Sequence, residues 1–364
     1  MDRLFCVCIA LLISLGLYAY DFTFKNSQGV SIYYNIVDEQ ARTCEVAPSG
    51  TYYNGELIIP QYAIYKNEVY TVIGIGNNAF DRDHYITGLE LPPTITYIGK
   101  MAFFNCYGLT KINIPASVNK ISDFAFTHTD ALKVLVIDDL SSWCSIDFES
   151  DVSVPAAQHD IYIKDVLLEN LIIPDDISKI SQYAFFKSNI SSIEIPSSVV
   201  TIGKQAFSYC EKLKSVRIHN SIMTMGDATF MYCNNLSDVY IDDLKAWFAS
   251  KHSGEMGMND YIFENAQNFY INNERISDLV IPDGVTVISE YSFSGYKGLE
   301  SIEIPESVQS IERYTFSGCT NLYKVKSHIK VPFDIPQYTF SNMSYATLYV
   351  LEGTKDLNVT GTGE

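Results

Sequence analysis

The chain has 364 residues, of which 47% are apolar, and a formal net charge of −18. So acidic a surface repels phosphate, which argues against nucleic acid and anionic lipid as partners. A single globule of this length would split into roughly two or three domains, but the sequence repeats at a fixed period and so predicts a solenoid, which grows by stacking.

Met1-Asp2-Arg3 is followed by an apolar run from Leu4 to Leu17 and then Tyr18-Ala19. A basic residue, an apolar core and a small residue predict a secretory signal peptide over residues 1–19, cleaved after Ala19. About 14 apolar residues are too few to span a bilayer, and no later stretch is longer and as apolar, so no membrane insertion is expected after cleavage. Cys6 and Cys8 sit early in the apolar run, which is not a lipoprotein pattern. Residues 20–56 are not a repeat. Phe22, Phe24, Ile32, Tyr34 and Ile36 alternate with mostly polar neighbours around Ser27-Gln28-Gly29, a strand–turn–strand pattern. A solenoid exposes core at its first coil, so this segment is expected to be an N-terminal β cap.

The solenoid is expected over residues 57–346. Its anchor is a Phe, usually after a small residue: Phe80, Phe103, Phe126, Phe185, Phe207, Phe230, Phe293, Phe316 and Phe340. Neighbouring anchors lie 22 to 24 residues apart, except across two gaps of 59 and 63. In the first block, the insert Gln61 to Thr71 lengthens the first coil. The interruptions fall at 141–169 and 245–275, and each opens on the same phrase, Ile137-Asp138-Asp139-Leu140 and Ile241-Asp242-Asp243-Leu244, with Trp143 or Trp247 three positions on. A larger unit of several coils is therefore duplicated. Each interruption should hold a short amphipathic turn, an irregular loop and a strand. Residues 347–364 are read as a closing strand and a polar tail.

Each coil reads as a strand with its apolar side inward, such as Ile112 and Ile114, stopped by a proline, here Pro115, that lacks an N–H. Val118 and Ile121 line the return, Ala125 permits close packing and Phe126 fills the centre. A Gly after the second Ile, as at Gly99, Gly203 and Gly226, suggests a tight bend. Six cysteines follow the leader, and Cys106, Cys210, Cys233 and Cys319 all lie three residues after an anchor Phe. One repeat position in four copies predicts buried free thiols that stack without bonding. Parallel strands should form one face, from which Lys111, Asn113, Ser192, Glu194, Ser215, Arg217, Asp238, Tyr240, Ser301 and Glu303 point outward.

The phrase Ile-x-Ile-Pro-x-Ser-Val-x-x-Ile-Gly-x-x-Ala-Phe-x-x-Cys, best seen in Ile193 to Cys210 and Ile302 to Cys319, resembles the BspA-type leucine-rich repeat. The likeness extends to the N-terminal Tyr-Asp-Phe segment, the Trp-containing interruptions and Ala346 to Val350. The resemblance implies an α/β solenoid, a right-handed leucine-rich repeat superhelix of short parallel strands. It also implies a secreted or cell-surface protein that binds other proteins. Some members act as adhesins toward host matrix proteins or other microbes.

Other chemistry is thin. Gly74-Ile75-Gly76-Asn77-Asn78-Ala79 matches a dinucleotide fingerprint, but it falls in repeat phase and lacks a βαβ context. Asp138-Asp139 and Asp242-Asp243 could attract calcium, yet two adjacent side chains on a strand point opposite ways. No zinc, Walker or G-x-S-x-G motif occurs, so no catalytic residue, cofactor or metal is expected. The two tryptophans are either exposed contacts or core plugs, and plugs are the expectation. Four glycosylation sequons, at Asn189, Asn235, Asn342 and Asn358, matter only in a eukaryotic secretory route. The expected role is non-enzymatic protein binding, with Lys111, Asn113, Glu194, Arg217, Asp238, Tyr240 and Glu303 as candidate contact residues. The alternative is a glycan-binding surface protein. A polysaccharide lyase would need carboxylates and bases grouped across neighbouring coils. Oligomeric state is not legible.

Overall fold

A computed structural model describes residues 20–154, 158–219, 222–252, 262–263, 266–343 and 346–351. The expected signal peptide, most of the tail and the Asn358 sequon lie outside these residues. The chain forms two compact units, Met1–Leu167 and Leu168–Glu364.

Each unit is a stack of parallel coils with little helix. In the first, Gly55–Ile58, Ile86–Glu90, Lys111–Ile114, Val134–Ile137 and Asp160–Ile163 form one continuous sheet, closed by the antiparallel strand Val166–Leu167. The register places Leu57 beside Leu89, Leu89 beside Ile112, Ile112 beside Leu135 and Leu135 beside Ile161. All five are buried. Because side chains alternate along a strand, holding this column inward forces the intervening residues outward. Pro115, Pro196 and Pro305 follow directly on strand ends, as the missing N–H requires.

The return side of each coil is a second ladder rather than a helix. Ile75, Ile98, Ile121 and Phe148 pair in sequence, and so do Ile180, Ile202 and Met225 in the second unit. A third set of coil-to-coil bonds runs through the anchors. The Phe103 N–H donates to the Ala125 carbonyl at 2.9 Å and the Phe207 N–H to the Thr229 carbonyl at 3.0 Å. Residues two before and two after each anchor sit at positive φ, for example Gln205 (52°) and Tyr209 (60°). This left-handed pair tightens the turn so that alternate N–H groups face the next coil. It replaces the helix that the α/β description suggests. Among the described residues the α-helices are two six-residue pieces, Leu140–Ser145 and Leu244–Ala249.

The anchors stack ring on ring. Phe80–Phe103, Phe103–Phe126, Phe185–Phe207, Phe207–Phe230 and Phe316–Phe340 have centroids 5.1 to 5.4 Å apart. Phe293 and Phe316 are 5.9 Å apart. All nine are buried except Phe340, which is half-buried. The glycines after the second Ile serve close approach rather than a bend. None of Gly99, Gly203 and Gly226 has positive φ, but a Cβ on Gly203 would lie 2.2 Å from the Gln182 nitrogen and one on Gly226 2.4 Å from that of Lys204.

The ladders run on through both expected interruptions. Asp147–Phe148 pairs with Lys120–Ile121, and Asp160–Ile163 with Val134–Ile137. In the second unit Lys251–His252 pairs with Thr224–Met225, and Asn268–Ile271 with Asp238–Ile241. Each interruption is therefore an enlarged coil holding a short helix, and the sheet ends later, at a tight antiparallel turn. Asp139 and Asp243 cap the helices, accepting from the Ser142 N–H at 2.8 Å and from the Lys245 and Ala246 N–H groups at 2.8 and 3.1 Å. Both tryptophans are buried. Trp143 meets Phe148 edge-on, and the Trp247 indole donates to the Ser292 carbonyl at 3.1 Å. They plug the enlarged coils, which rules them out as exposed contacts.

The N-terminal segment forms an antiparallel pair, Phe22–Lys25 and Ser31–Asp38. A third strand, Thr43–Val46, runs parallel to Glu68–Ile75 of the first coil. The predicted insert is a hairpin of Tyr62–Tyr65 against that same strand. Phe22, Tyr34, Tyr65 and Tyr70 pack together at its base.

The repeated cysteine has a specific task. The thiols of Cys106, Cys210, Cys233 and Cys319 donate to the carbonyls of Phe80, Phe185, Phe207 and Phe293, the anchors of the preceding coils, at 3.0 to 3.2 Å. The six described cysteines are all free of disulfides and buried. Burial raises the thiol of Cys44 to about 12 and that of Cys319 to about 12, so both stay protonated near neutrality.

Phe207→Ala removes a ring stacked on both sides, so it should cost about 3–5 kcal/mol, read as a lowered denaturation midpoint. The buried thiols should resist a thiolate-directed alkylating reagent at about pH 8 and react once the protein is denatured. Mass spectrometry of alkylated, unreduced protein should find no Cys210–Cys233 linked peptide.

Candidate protein-binding surface

The inward columns fix the outward ones, so the candidate contact residues can be placed by register. Lys111 and Asn113 belong to the first unit, on Lys111–Ile114. Lys111 is exposed. Asn113 is half-buried and serves its neighbouring coil: it accepts from the Leu91 N–H at 2.6 Å and donates to the Leu91 carbonyl at 2.9 Å. That bidentate bond makes it part of the scaffold.

The remaining five lie in the second unit. Its first sheet comprises Asn170–Ile172, Ser192–Ile195, Ser215–Ile218, Asp238–Ile241 and Asn268–Ile271, ended by Glu274–Arg275. The register brings Ile172, Glu194, Arg217, Tyr240 and Tyr270 into one outward column. Ser192, Ser215, Asp238 and Asn268 form the column beside it. Glu303 stands apart, on the last sheet, between Val280 and Lys326.

The first column is joined along its length. The Arg217 guanidinium lies 4.5 Å from the Tyr240 ring centre, and Tyr240 stacks on Tyr270 at 4.4 Å and 9°. Arg217 also donates to Asp242 at 3.0 Å and to Asn273 at 2.5 Å. Asp238 accepts from Asn268 at 2.9 Å and from the Tyr270 hydroxyl at 3.3 Å. Where the strands end, His219 bridges two coils. Its Nε2 lies 3.0 Å from Glu194 and its Nδ1 2.5 Å from Asp242.

An open cleft of about 450 Å³ lies at that corner, lined by Ile172, Pro174, Asp175, Glu194, Pro196 and His219 among others. The last sheet carries the same pattern. His328 Nε2 and Lys326 Nζ both lie on Glu303 Oε1, at 2.6 and 2.8 Å. These two contacts hold the Glu303 carboxyl below its ordinary range, Lys326 being the larger cause. His219 and His328 occupy one repeat position, since their N–H groups donate to the carbonyls of Ile195 and Ile304.

Sequence reasoning missed His219, His328, Asp242 and Lys326 as surface partners. A signal was present: Arg217-Ile218-His219 and Lys326-Ser327-His328 are a cation, one residue and a His at the same phase, 109 residues apart. The first Asp of each Asp-Asp phrase also differs in use. Asp242 takes Arg217 and His219, whereas Asp138 accepts from the Ala116 N–H at 2.9 Å. Among the described residues no group of three or more His, Cys, Asp or Glu could hold a metal ion. Gly74 and Ile75 of the fingerprint lie in a strand, and a Cβ on Gly76 would meet the Val46 carbonyl at 2.7 Å, so these glycines serve packing.

The sequence matches the BspA type Leucine rich repeat region in 6 copies, over residues 70–150, 159–248 and 259–359. The chain therefore belongs to the BspA-type leucine-rich repeat family. Three solved structures are similar. A leucine-rich repeat protein from Bacteroides ovatus is 22% identical, covering 92% of this chain and 100% of that one, with a TM-score of 0.37. A leucine rich cell surface protein from Faecalibacterium prausnitzii is 19% identical over 85% of this chain and 95% of that one, with a TM-score of 0.36. The pneumococcal vaccine antigen PcpA is 15% identical over 92% and 95%, with a TM-score of 0.42. No curated protein matches the chain. Among the described residues no helix is long and apolar enough to cross a membrane.

Glu303 contributes stability that is present above its unfolded value and is lost as pH falls through its lowered folded value. Thermal melts between roughly pH 7 and pH 3 should therefore show a shallower acid decline for Glu303→Gln than for the parent.

Proposed function

We propose that this is a secreted or cell-surface protein that binds other proteins through its strand faces, as an adhesin toward host matrix or microbial surface proteins. The expected leader and the acidic charge fit an extracellular role. The observation that carries the reading is the outward column from Ile172 to Tyr270. It sets five side chains of four chemical types, one aliphatic, one acidic, one basic and two phenolic, on a ladder whose inward partners are fixed and buried. Such a surface is rigid before a partner arrives, which lowers the ordering cost of binding. One partner can also touch many coils at once.

Two other readings are less well supported. A glycan platform needs an open aromatic face, and on this column Tyr240 does not offer one, being covered by Tyr270 on one side and by Arg217 on the other. Glu194, Arg217, His219 and Asp242 do group carboxylates and bases across coils, as a polysaccharide lyase would require. Arg217, however, is engaged by Asp242, Asn273 and Tyr240, and the carboxylates around it would repel an anionic polysaccharide.

The test is a pull-down of host and microbial surface proteins with the mature chain, run beside a glycan array. Charge changes at Glu194, Asp238 and Glu303 together should weaken the captured partner in surface plasmon resonance and leave the fold intact by circular dichroism. A basic partner should associate faster at low salt. Unchanged affinity in the triple variant would move the site off these sheets, and glycan binding without protein capture would favour the alternative.

A further inference from the structure

Resting on that reading, we propose that the cleft between Ile172 and Asp242 is a receptor for a lysine side chain of the protein partner. The lining has two parts. Ile172, Pro174 and Pro196 offer aliphatic surface, and Asp175, Glu194 and Asp242 offer carboxylates. The cleft lining carries three carboxylates and one imidazole, His219, and the neighbouring guanidinium of Arg217 pairs with one of the carboxylates, Asp242, so the balance stays acidic whichever protonation the imidazole takes. A lysine matches both parts, since its methylene stem covers apolar surface while its ammonium reaches a carboxylate.

Ile172 is unusual for its column. It points outward, is 64% exposed, and stands where later coils carry Glu194, Arg217 and Tyr240. Most of this aliphatic surface at the lip of an acidic cleft is therefore left uncovered by the coil. A ligand stem would cover it.

The duplicated block provides the second observation. Val280, Glu303, Lys326 and His328 repeat Ile172, Glu194, Arg217 and His219 at equivalent register positions, with Val280 63% exposed. In that copy a lysine already fills the carboxylate, because Lys326 Nζ lies 2.8 Å from Glu303. In the first copy the equivalent cation is drawn away: Arg217 turns to Asp242 and stacks on Tyr240. Glu194 keeps His219 as its partner, and its side chain is 48% exposed. The protein thus holds one closed and one open version of the same site. Lys326 shows in the closed version the group that the open version would accept.

The experiment uses the full mature chain with isotope-labelled Ile and Val methyl groups and the probe Nα-acetyl-lysine N-methylamide. The Ile172 methyl signals should shift and saturate, while those of Val280 stay still. The Nε-acetylated probe, which lacks the charge, should leave Ile172 unmoved. Glu194→Gln should weaken the titration roughly tenfold or more, the range expected for losing a charged hydrogen bond. Lys326→Ala should open the second copy, so that Val280 begins to respond. An Ile172 signal that ignores the probe, that responds equally to the acetylated form, or that titrates unchanged in Glu194→Gln overturns the proposal. A pulled-down protein partner that binds Glu194→Gln as it binds the parent sinks this lysine site alone and leaves the protein-binding role standing. Failure to capture any protein, together with a normal lysine titration, does the reverse.

Discussion

Each coil depends on the hydrogen bonds it makes with the coil beside it. A single coil of this kind has almost no internal secondary structure. Its short strand and its two-residue return strand find their bonding partners in a neighbour, and so does every other N–H of its left-handed anchor turn. Buried backbone groups must be paired, so the coils hold their register to one another at three places around the circumference. A slip at one place would break the other two, and like residues therefore stack on like.

That constraint explains features which otherwise look unrelated. The anchor rings stack because the turn ladder sets one Phe directly on the next. Gly203 and Gly226 are needed because the coils approach too closely there for a Cβ. The cysteines recur because a small, weakly polar donor fits at the one spot where the preceding anchor carbonyl points inward. Thr129 shows that a hydroxyl can take the same position, turning instead to the carbonyl of its own anchor, Phe126. The enlarged coils obey the same rule. Their extra residues are absorbed by a capped helix and a buried Trp, while both strand ladders continue across them.

The outward surface is where the sequence is free, and there the charges organise across coils rather than along one strand. Arg217 reaches Asp242 and His219 joins Glu194 to Asp242, contacts that span 23 to 25 residues of sequence. Partly exposed pairs of this kind add little to stability. Their effect is to aim side chains. By turning Arg217 toward Asp242, they leave Glu194 facing the cleft beside Ile172. At the matching place in the last sheet, the shorter Lys326 goes to the carboxylate itself.

The repeat period, the inward Ile, Leu and Phe, the stops at proline and the buried thiols were all legible in the chain, because each is a local consequence of a one-coil pattern. The repeated Asp-Asp-Leu phrase with its trailing Trp also announced a larger duplication. The sequence alone could not show that the interruptions keep both ladders, since the pairing of Phe148 with Ile121 skips the usual spacing. Nor could it show that Asn113 is spent on the Leu91 backbone while Glu194 faces a cleft. Both read as outward polar residues one position after a buried Ile. Which of them is scaffold and which is surface depends on what the next coil offers, and that is decided only when residues more than twenty positions apart are brought into register.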